Sequence, residues 1–222
     1  MRASVGAEPA LVVATPGAEP VAFGGYAAAL LLDADSMLRF DSLRAPEAAL
    51  RRWFNAAALV RSAAQGGVVV TTASPSPVEQ ALVRWDPTWF ALYELDERSQ
   101  IGLPPAVRTA AITGSEDDVQ AFLEELNLPE GVRVTGPVPL DEDFFAHQSV
   151  HAGIESGGEG DISEPSPSGT EDAVPGDWRA ILFFSYVQAP QVTHELRSVR
   201  AALSALKRVG AVQVRCDGLD VV

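Results

Sequence analysis

The sequence has almost no cysteine. Its 222 residues include a single one, Cys216, which excludes an internal disulfide and is typical of proteins in the reducing cytoplasm. One thiol also cannot supply the four ligands of a tetrahedral zinc site. We therefore expect a cytoplasmic protein without a structural metal, and its 47% apolar residues are enough to form a buried core.

Long hydrophobic runs are also missing. The longest apolar stretch, residues 26–32, is about a third of the roughly 20 residues that a membrane-spanning helix needs. The N-terminus lacks the basic region and apolar run of a signal peptide. We expect no membrane partner.

Positive charge is scarce and unevenly placed. The net charge is −14, which argues against nucleic-acid binding by the chain as a whole, because such binding depends on Lys and Arg. Residues 141–177, however, hold ten Asp/Glu and no Lys/Arg, whereas residues 178–222 hold six Lys/Arg against three Asp/Glu. The C-terminal end therefore has a net charge of +3 and is basic.

A phosphate-binding loop of the pattern Gly-x-x-x-x-Gly-Lys-Ser/Thr does not occur in the sequence. Without it, no nest of backbone N–H groups with an adjacent lysine is available to bind the phosphates of ATP. We expect no nucleotide cofactor.

Four short motifs occur in a fixed order. They are Leu30-Leu31-Leu32-Asp33-Ala34-Asp35, Arg44-Ala45-Pro46-Glu47, Gly102-Leu103-Pro104-Pro105 and Gly136-Pro137-Val138-Pro139. In this order they resemble the C-terminal part of the primosomal protein N′ family of replication-restart helicases. The resemblance covers residues 11–222 except 141–177, and its specificity lies in the order of the motifs.

The resemblance fails at the arginines that face ATP in this family. The family's Gln-Val-Ala-Gly-Arg-Ala-Gly-Arg segment aligns without gaps to residues 55–62, so that its arginines become Leu59 and Ser62 while Arg61 is out of register by one residue. Such arginines typically contribute about a thousandfold or more to phosphoryl transfer. We expect a chain without ATPase or helicase activity.

The family's Gly-Thr-Gln segment is altered as well. Residues 14–20 occupy its position, only Thr15 matches it, and Glu19 would repel a phosphate. The resemblance thus implies a degenerate nucleotide cleft, marked by Thr15, Asp33, Asp35 and Arg61. Asp33 and Asp35 could alternatively bind magnesium, but a support for neighbouring loops is the stronger interpretation, and we expect no metal there.

The element pattern predicts an α/β protein of two domains. Residues 1–100 are expected to form a partial RecA-like lobe, the second helicase lobe. We expect strands buried in a parallel sheet at 11–14 and 27–32, a third strand at 68–72, and helices starting at Pro46, Pro77 and about Trp89. Residues 101–222 follow the order βαββαβ, which predicts a ferredoxin-like α+β domain. Trp53, Trp85 and Trp89 are assigned to the core.

The acidic insert, residues 141–177, contains too little apolar surface to fold, and we expect a disordered loop. A solvated insertion is the simplest interpretation, and an alternative is that it mimics DNA and covers a basic site. His147 and His151 lie four residues apart, a spacing that suits a metal, but their Gly-rich surroundings argue against a rigid site.

The basic C-terminal region supplies the candidate DNA-binding residues. Trp178 and Arg179 precede an apolar strand and resemble a family surface used for DNA and for the acidic tail of single-strand-binding protein. The last helix adds Arg197, Arg200, Lys207 and Arg208. An exposed Trp178 beside this basic arc would suit single-stranded DNA, whereas an ordinary solvated helix face is the alternative.

Together these features predict a replication-restart primosome protein that binds DNA and is inert as an ATPase. The implied partners are forked or single-stranded DNA, single-strand-binding protein and other primosome proteins. One alternative is a non-functional truncated product of a restart helicase. Another is a component of an ATP-dependent 3′-5′ DNA helicase whose missing lobes are supplied in trans.

Overall fold

A computed structural model shows two compact units, Met1–Glu94 and Leu95–Val222. The structure describes residues 4–6, 8–40, 42–140, 177–206, 210 and 212–218. The division falls inside a helix, before the Gly102-Leu103-Pro104-Pro105 segment at which the sequence predicts it. The acidic insert is therefore outside the described residues, apart from Asp177.

The first unit contains short parallel strands and three helices. β1 (Ser4–Val5) pairs with β2 (Val21–Ala22), and β3 (Ala28–Leu31) pairs with β4 (Val68–Thr71), both in parallel. The helices are α1 (Ala45–Ala58), α2 (Pro77–Arg84) and α3 (Pro87–Ile101), the last of which continues into the second unit.

Proline and serine explain where these helices begin. Pro46 lies in the first turn of α1, where a missing N–H breaks no helical hydrogen bond. Ser76 caps α2 by accepting a hydrogen bond from the backbone N–H of Glu79 at 3.1 Å. The apolar faces of α1 and α2 then meet in a core centred on Trp53, which is 2% exposed.

Three expectations for the first unit are wrong. Residues 11–14 form no strand, and Leu11 is 92% exposed. β3 is not buried on both faces, because Leu30 remains 62% exposed. Trp85 is 56% exposed rather than in the core. It ends α2 with a left-handed φ of 56°, and its ring meets that of Phe54 in a T-shaped arrangement at 4.7 Å.

The second unit has the predicted βαββαβ order. β5 (Arg108–Gly114), α4 (Glu116–Glu124), β6 (Arg133–Pro139), β7 (Trp178–Phe184), α5 (Ala189–Ala205) and β8 (Gln213–Cys216) follow one another. The sheet order is β6-β7-β5-β8, with every pair antiparallel. β5 and β6 are thus separated by β7, as in a split βαβ unit. The α/β class and its two kinds of sheet are confirmed.

Both helices of the second unit pack on one face of this sheet. Ile112, Leu182 and Phe122 are fully buried there, together with Val192 and Leu196 of α5. Ser115 caps α4 through the backbone N–H of Asp118, as the sequence predicts. On the opposite face, Thr109, Ala111 and Thr113 of β5 and Phe183 of β7 are buried as well.

Within the described ranges no helix is both long enough and apolar enough to cross a membrane.

Candidate nucleic-acid interface and the altered nucleotide cleft

Arg61 is held at the beginning of β3. Its backbone N–H donates to the carbonyl of Tyr26, and its Nε donates to the carbonyls of Gly24 and Gly25, each at 3.2 Å. Its guanidinium therefore stabilises a turn of the first unit.

Asp33 and Asp35 lie at the other end of the same strand. From Tyr26 to Leu31 the chain covers about 16 Å at roughly 3.3 Å per residue. Ligands of parallel sheets bind at the carboxyl ends of the strands, where the aspartates are and Arg61 is not. The structure thus does not bring the predicted residues of the nucleotide cleft together.

Asp35 supports a neighbouring loop, which is the role that the sequence favours for the Asp-x-Asp motif over magnesium binding. Its carboxylate accepts hydrogen bonds from the backbone N–H of Ser74 at 2.8 Å and from the Ser74 hydroxyl at 2.6 Å. These bonds lower the pKa of Asp35 below its ordinary value. Asp33 is exposed and adopts a left-handed φ of 51° at the start of a short 3₁₀ turn.

Thr15 lies in an exposed turn, and a backbone N–H of this turn already donates to a carboxylate of the same chain. The Thr15 carbonyl accepts from the N–H of Ala18, and the carboxylate of Glu19 accepts from the N–H of Gly17 at 3.0 Å. A backbone N–H that could otherwise bind a phosphate oxygen therefore holds a carboxylate of the same chain.

Trp178 and Arg179 point to opposite sides of the sheet in the second unit. Successive residues of a strand alternate between faces, and Trp178 packs against the core beneath α4 and α5. Trp178 is partly buried there, and its stacking on bases stays a prediction. Arg179 lies on the face opposite α4 and α5.

Arg197 and Arg200 lie on the exposed side of α5, three residues apart and on the helix layer. They are therefore on the other side of the sheet from Arg179, so the predicted DNA-binding residues do not form one site. Lys207 and Arg208 are outside the described residues, as are His147 and His151.

The face opposite α4 and α5 was not recognised in the sequence. Its side chains alternate with those that contact these helices; they include Arg133, Thr135, Arg179, Phe183, Gln213 and Arg215. The four strands of this sheet contain four arginines and no Asp or Glu. An alternation of valine with Arg or Gln at 132–134 and 212–215 was the available signal.

Arg133 is exposed on this face, and two contacts position it. Its guanidinium carbon lies 4.4 Å from the centroid of the Phe183 ring, a cation–π arrangement. One terminal nitrogen donates to the carbonyl of Gly102 at 3.0 Å. The guanidinium is thus oriented before any ligand arrives.

Arg108 is committed to a structural ion pair. Its Nε donates to Asp217 at 2.8 Å, a terminal nitrogen contacts the same carboxylate, and Asp217 also accepts from the N–H of Thr109 at 3.2 Å. The hydrogen bond from Arg108 lowers the pKa of Asp217. This pair joins the start of β5 to the end of β8.

No group of three or more His, Cys, Asp or Glu side chains that could hold a metal occurs among the residues that the structure describes. Cys216 is a free thiol at the end of β8.

Comparison with known proteins identifies a family for the second unit. The family model described as "Primosomal protein N C-terminal domain" matches residues 99–219. The "Probable replication restart protein PriA" of Mycobacterium leprae (strain TN) is 53% identical over 139 residues, which are 62% of this chain and 21% of that protein. The protein of the same name from Mycobacterium tuberculosis (strain ATCC 25618 / H37Rv) is 53% identical over 139 residues, 60% of this chain and 21% of its own length. The chain spans about a fifth of the length of these curated relatives.

Proposed function

We propose, from the premise that this chain belongs to the primosomal protein N C-terminal domain family, that it is a replication-restart primosome protein of the cytoplasm. In this proposal it binds forked or single-stranded DNA and does not hydrolyse ATP. Single-strand-binding protein and other primosome proteins are its further partners. The names of its relatives, which are replication restart proteins, support this role.

The observation that carries the DNA-binding part is the charge of the sheet in the second unit. Its strands contain no carboxylate, and besides Arg108, which is paired with Asp217, they contain the three arginines Arg133, Arg179 and Arg215, although the chain as a whole has a net charge of −14. A local basic surface in an acidic protein favours a polyanionic ligand at that surface.

The observation that carries the lack of ATPase activity is the position of Arg61. Its guanidinium donates to the carbonyls of Gly24 and Gly25, at the opposite end of β3 from Asp33 and Asp35. A group placed there cannot neutralise charge that develops on a phosphate at the carboxyl end of the strand.

Fluorescence anisotropy tests the DNA-binding part, with a labelled fork and a labelled single strand over a series of salt concentrations. We expect affinity to fall as salt rises, because bound phosphates release counterions. A chain that is folded by circular dichroism but binds neither DNA at low salt would instead be the non-functional truncated product.

Phosphate release from ATP, with and without single-stranded DNA, tests the enzymatic part. We expect no turnover above the buffer background. Turnover that disappears in an Arg61→Ala variant would refute the proposal. Turnover that appears only when the remaining lobes of a restart helicase are added would favour the helicase component completed in trans.

A further inference from the structure

The motif Gly102-Leu103-Pro104-Pro105 connects the end of α3 to the beginning of β5. Gly102 ends the helix with a left-handed φ of 65°, and the next N–H, that of Leu103, donates to the carbonyl of Arg98 at 2.9 Å. We call residues 102–107 the strap; its two prolines have no N–H, and its later N–H groups donate to the Leu103 carbonyl. The structure describes all six residues of the strap, and none of their N–H groups donates to the sheet.

Two side chains from distant parts of the second unit hold the strap instead. A terminal nitrogen of Arg133, on β6, donates to the Gly102 carbonyl at 3.0 Å. The hydroxyl of Tyr186, in the loop between β7 and α5, donates to the Pro105 carbonyl at 2.8 Å. The two carbonyls are at opposite ends of the four-residue motif, so the strap is bound to the second unit at two points by side-chain donors.

Each of the two donors is oriented by a further contact, yet both are exposed. The Arg133 guanidinium lies over the ring of Phe183, and the guanidinium carbon of Arg108, which is paired with Asp217, is 6.0 Å from the centroid of the Tyr186 ring. Arg133 is exposed, and Tyr186 is 60% exposed. Segments that are held by a few solvent-exposed hydrogen bonds open locally at a lower free energy than the core.

We infer that the strap opens and closes as one piece on the second unit, with Arg133 and Tyr186 as the two donors that hold it closed. The closed strap fixes the end of α3 beside β6, whereas the open strap is a six-residue tether that spans up to about 20 Å at roughly 3.3 Å per residue. Because α3 begins in the first unit, opening lengthens the connection between the units. A partner that binds either exposed donor shifts this equilibrium toward the open state.

The test is hydrogen exchange of single backbone amides in the full chain, followed by NMR. Tyr186→Phe removes the hydroxyl and keeps the ring, and we expect exchange at both Leu103 and Val107 to accelerate about 5-fold, the effect of losing one hydrogen bond. Arg133→Ala should accelerate the same two amides by a similar factor, and the double variant by roughly the product, about 25-fold. The response of Leu103 to Tyr186→Phe is decisive, because Leu103 lies at the end of the motif that Arg133 holds.

Two controls separate opening of the strap from a general loss of stability. Tyr26→Phe is the matched variant, because the Tyr26 hydroxyl likewise donates to a proline carbonyl, that of Pro20 at 2.6 Å, but in the first unit. It should leave exchange of the strap amides unchanged. The amides of Trp178–Phe184 report on the sheet itself and should exchange as in wild type when Tyr186 is replaced by phenylalanine.

Three results would overturn the inference. If Tyr186→Phe accelerated exchange at Val107 but not at Leu103, the two ends of the strap would open independently. Strap amides that exchanged as in wild type in both single variants would show that the two donors do not hold the strap closed. An equal acceleration within Trp178–Phe184 would show that the second unit opens as a whole. The inference goes beyond the proposed function, and none of these results bears on the proposed DNA binding.

Discussion

Gly136 connects the two halves of β6, and replacing it with alanine tests the pairing of β6 with β7. The residue has a φ of +92° and lies where the β6–β7 register shifts between Thr135 and Val138. An added Cβ would be 2.5 Å from the Arg179 carbonyl oxygen and 3.2 Å from the Ala180 Cα. Both are backbone atoms of β7, so neither can rotate away, and the strands must separate.

Two effects set the magnitude. A left-handed φ costs a residue with a side chain about 1 to 3 kcal/mol. Separation of the strands disturbs at least one ladder hydrogen bond, which contributes about 1 kcal/mol. Gly131→Ala is the matched control, because Gly131 has a φ of +88° but its added Cβ would meet only Gln188 Nε2, at an ordinary 3.5 Å. We expect Gly136→Ala to lower the free energy of unfolding by at least about 1 kcal/mol more than Gly131→Ala does.

Hydrogen–deuterium exchange measured by mass spectrometry is the suitable assay, since peptides from Trp178–Phe184 report on the second unit alone. The opening free energy of these peptides should fall more in Gly136→Ala than in Gly131→Ala. Equal losses in the two variants would refute the argument that the close contact with β7, rather than φ alone, requires glycine at this position.

Three further predictions concern the second unit. Leu182→Ala, which empties a fully buried position, should lower the free energy of unfolding by about 2 to 5 kcal/mol in urea denaturation, and a loss below about 1 kcal/mol would contradict the assigned core. Ser115→Ala should cost about 1 kcal/mol by removing the cap of α4, whereas Ser115→Thr, which keeps the hydroxyl that accepts from the Asp118 N–H and donates to the Asp118 carboxylate, should be close to wild type in the same assay. The folded pKa of Asp217 lies below its ordinary 3.8, so its stabilising effect is present above that pH and is lost as the pH falls through the folded value. The stability difference between wild type and Asp217→Asn should therefore be constant from pH 7 to about pH 5 and shrink below about pH 4, and a difference that grew on acidification would have the wrong sign.

The elements of the second unit were predictable because their signals are local. Ser115 followed by a helical pattern identifies an N-cap, and the order of strands and helices admits few topologies. It was harder to predict which face of the sheet each strand residue occupies. Trp178 and Arg179 are neighbours in sequence, and only the pairing register decides which of them contacts the helices.

The first unit was harder to predict because strand burial depends on partners that a sequence window does not contain. The run at 11–14 is as apolar as β3, yet Val13 is 90% exposed. That the family's ATP-facing arginines are absent is a prediction that rests on the motif alignment alone. The hydrogen bonds from Arg61 to the carbonyls of Gly24 and Gly25 could not be predicted, because they join residues that are 36 and 37 positions apart.

The short parallel pair β3–β4 has a practical consequence for work with this chain. Leu30, Val68 and Val70 are each about half exposed or more, at 62%, 52% and 49%, and the outer edge of the pair offers backbone groups to a neighbouring molecule. Concentrated solutions of the protein are therefore expected to aggregate through the exposed apolar side chains of β3 and β4. Binding stoichiometries should be measured over a dilution series, because nonspecific association between copies of the chain decreases on dilution whereas a specific complex remains.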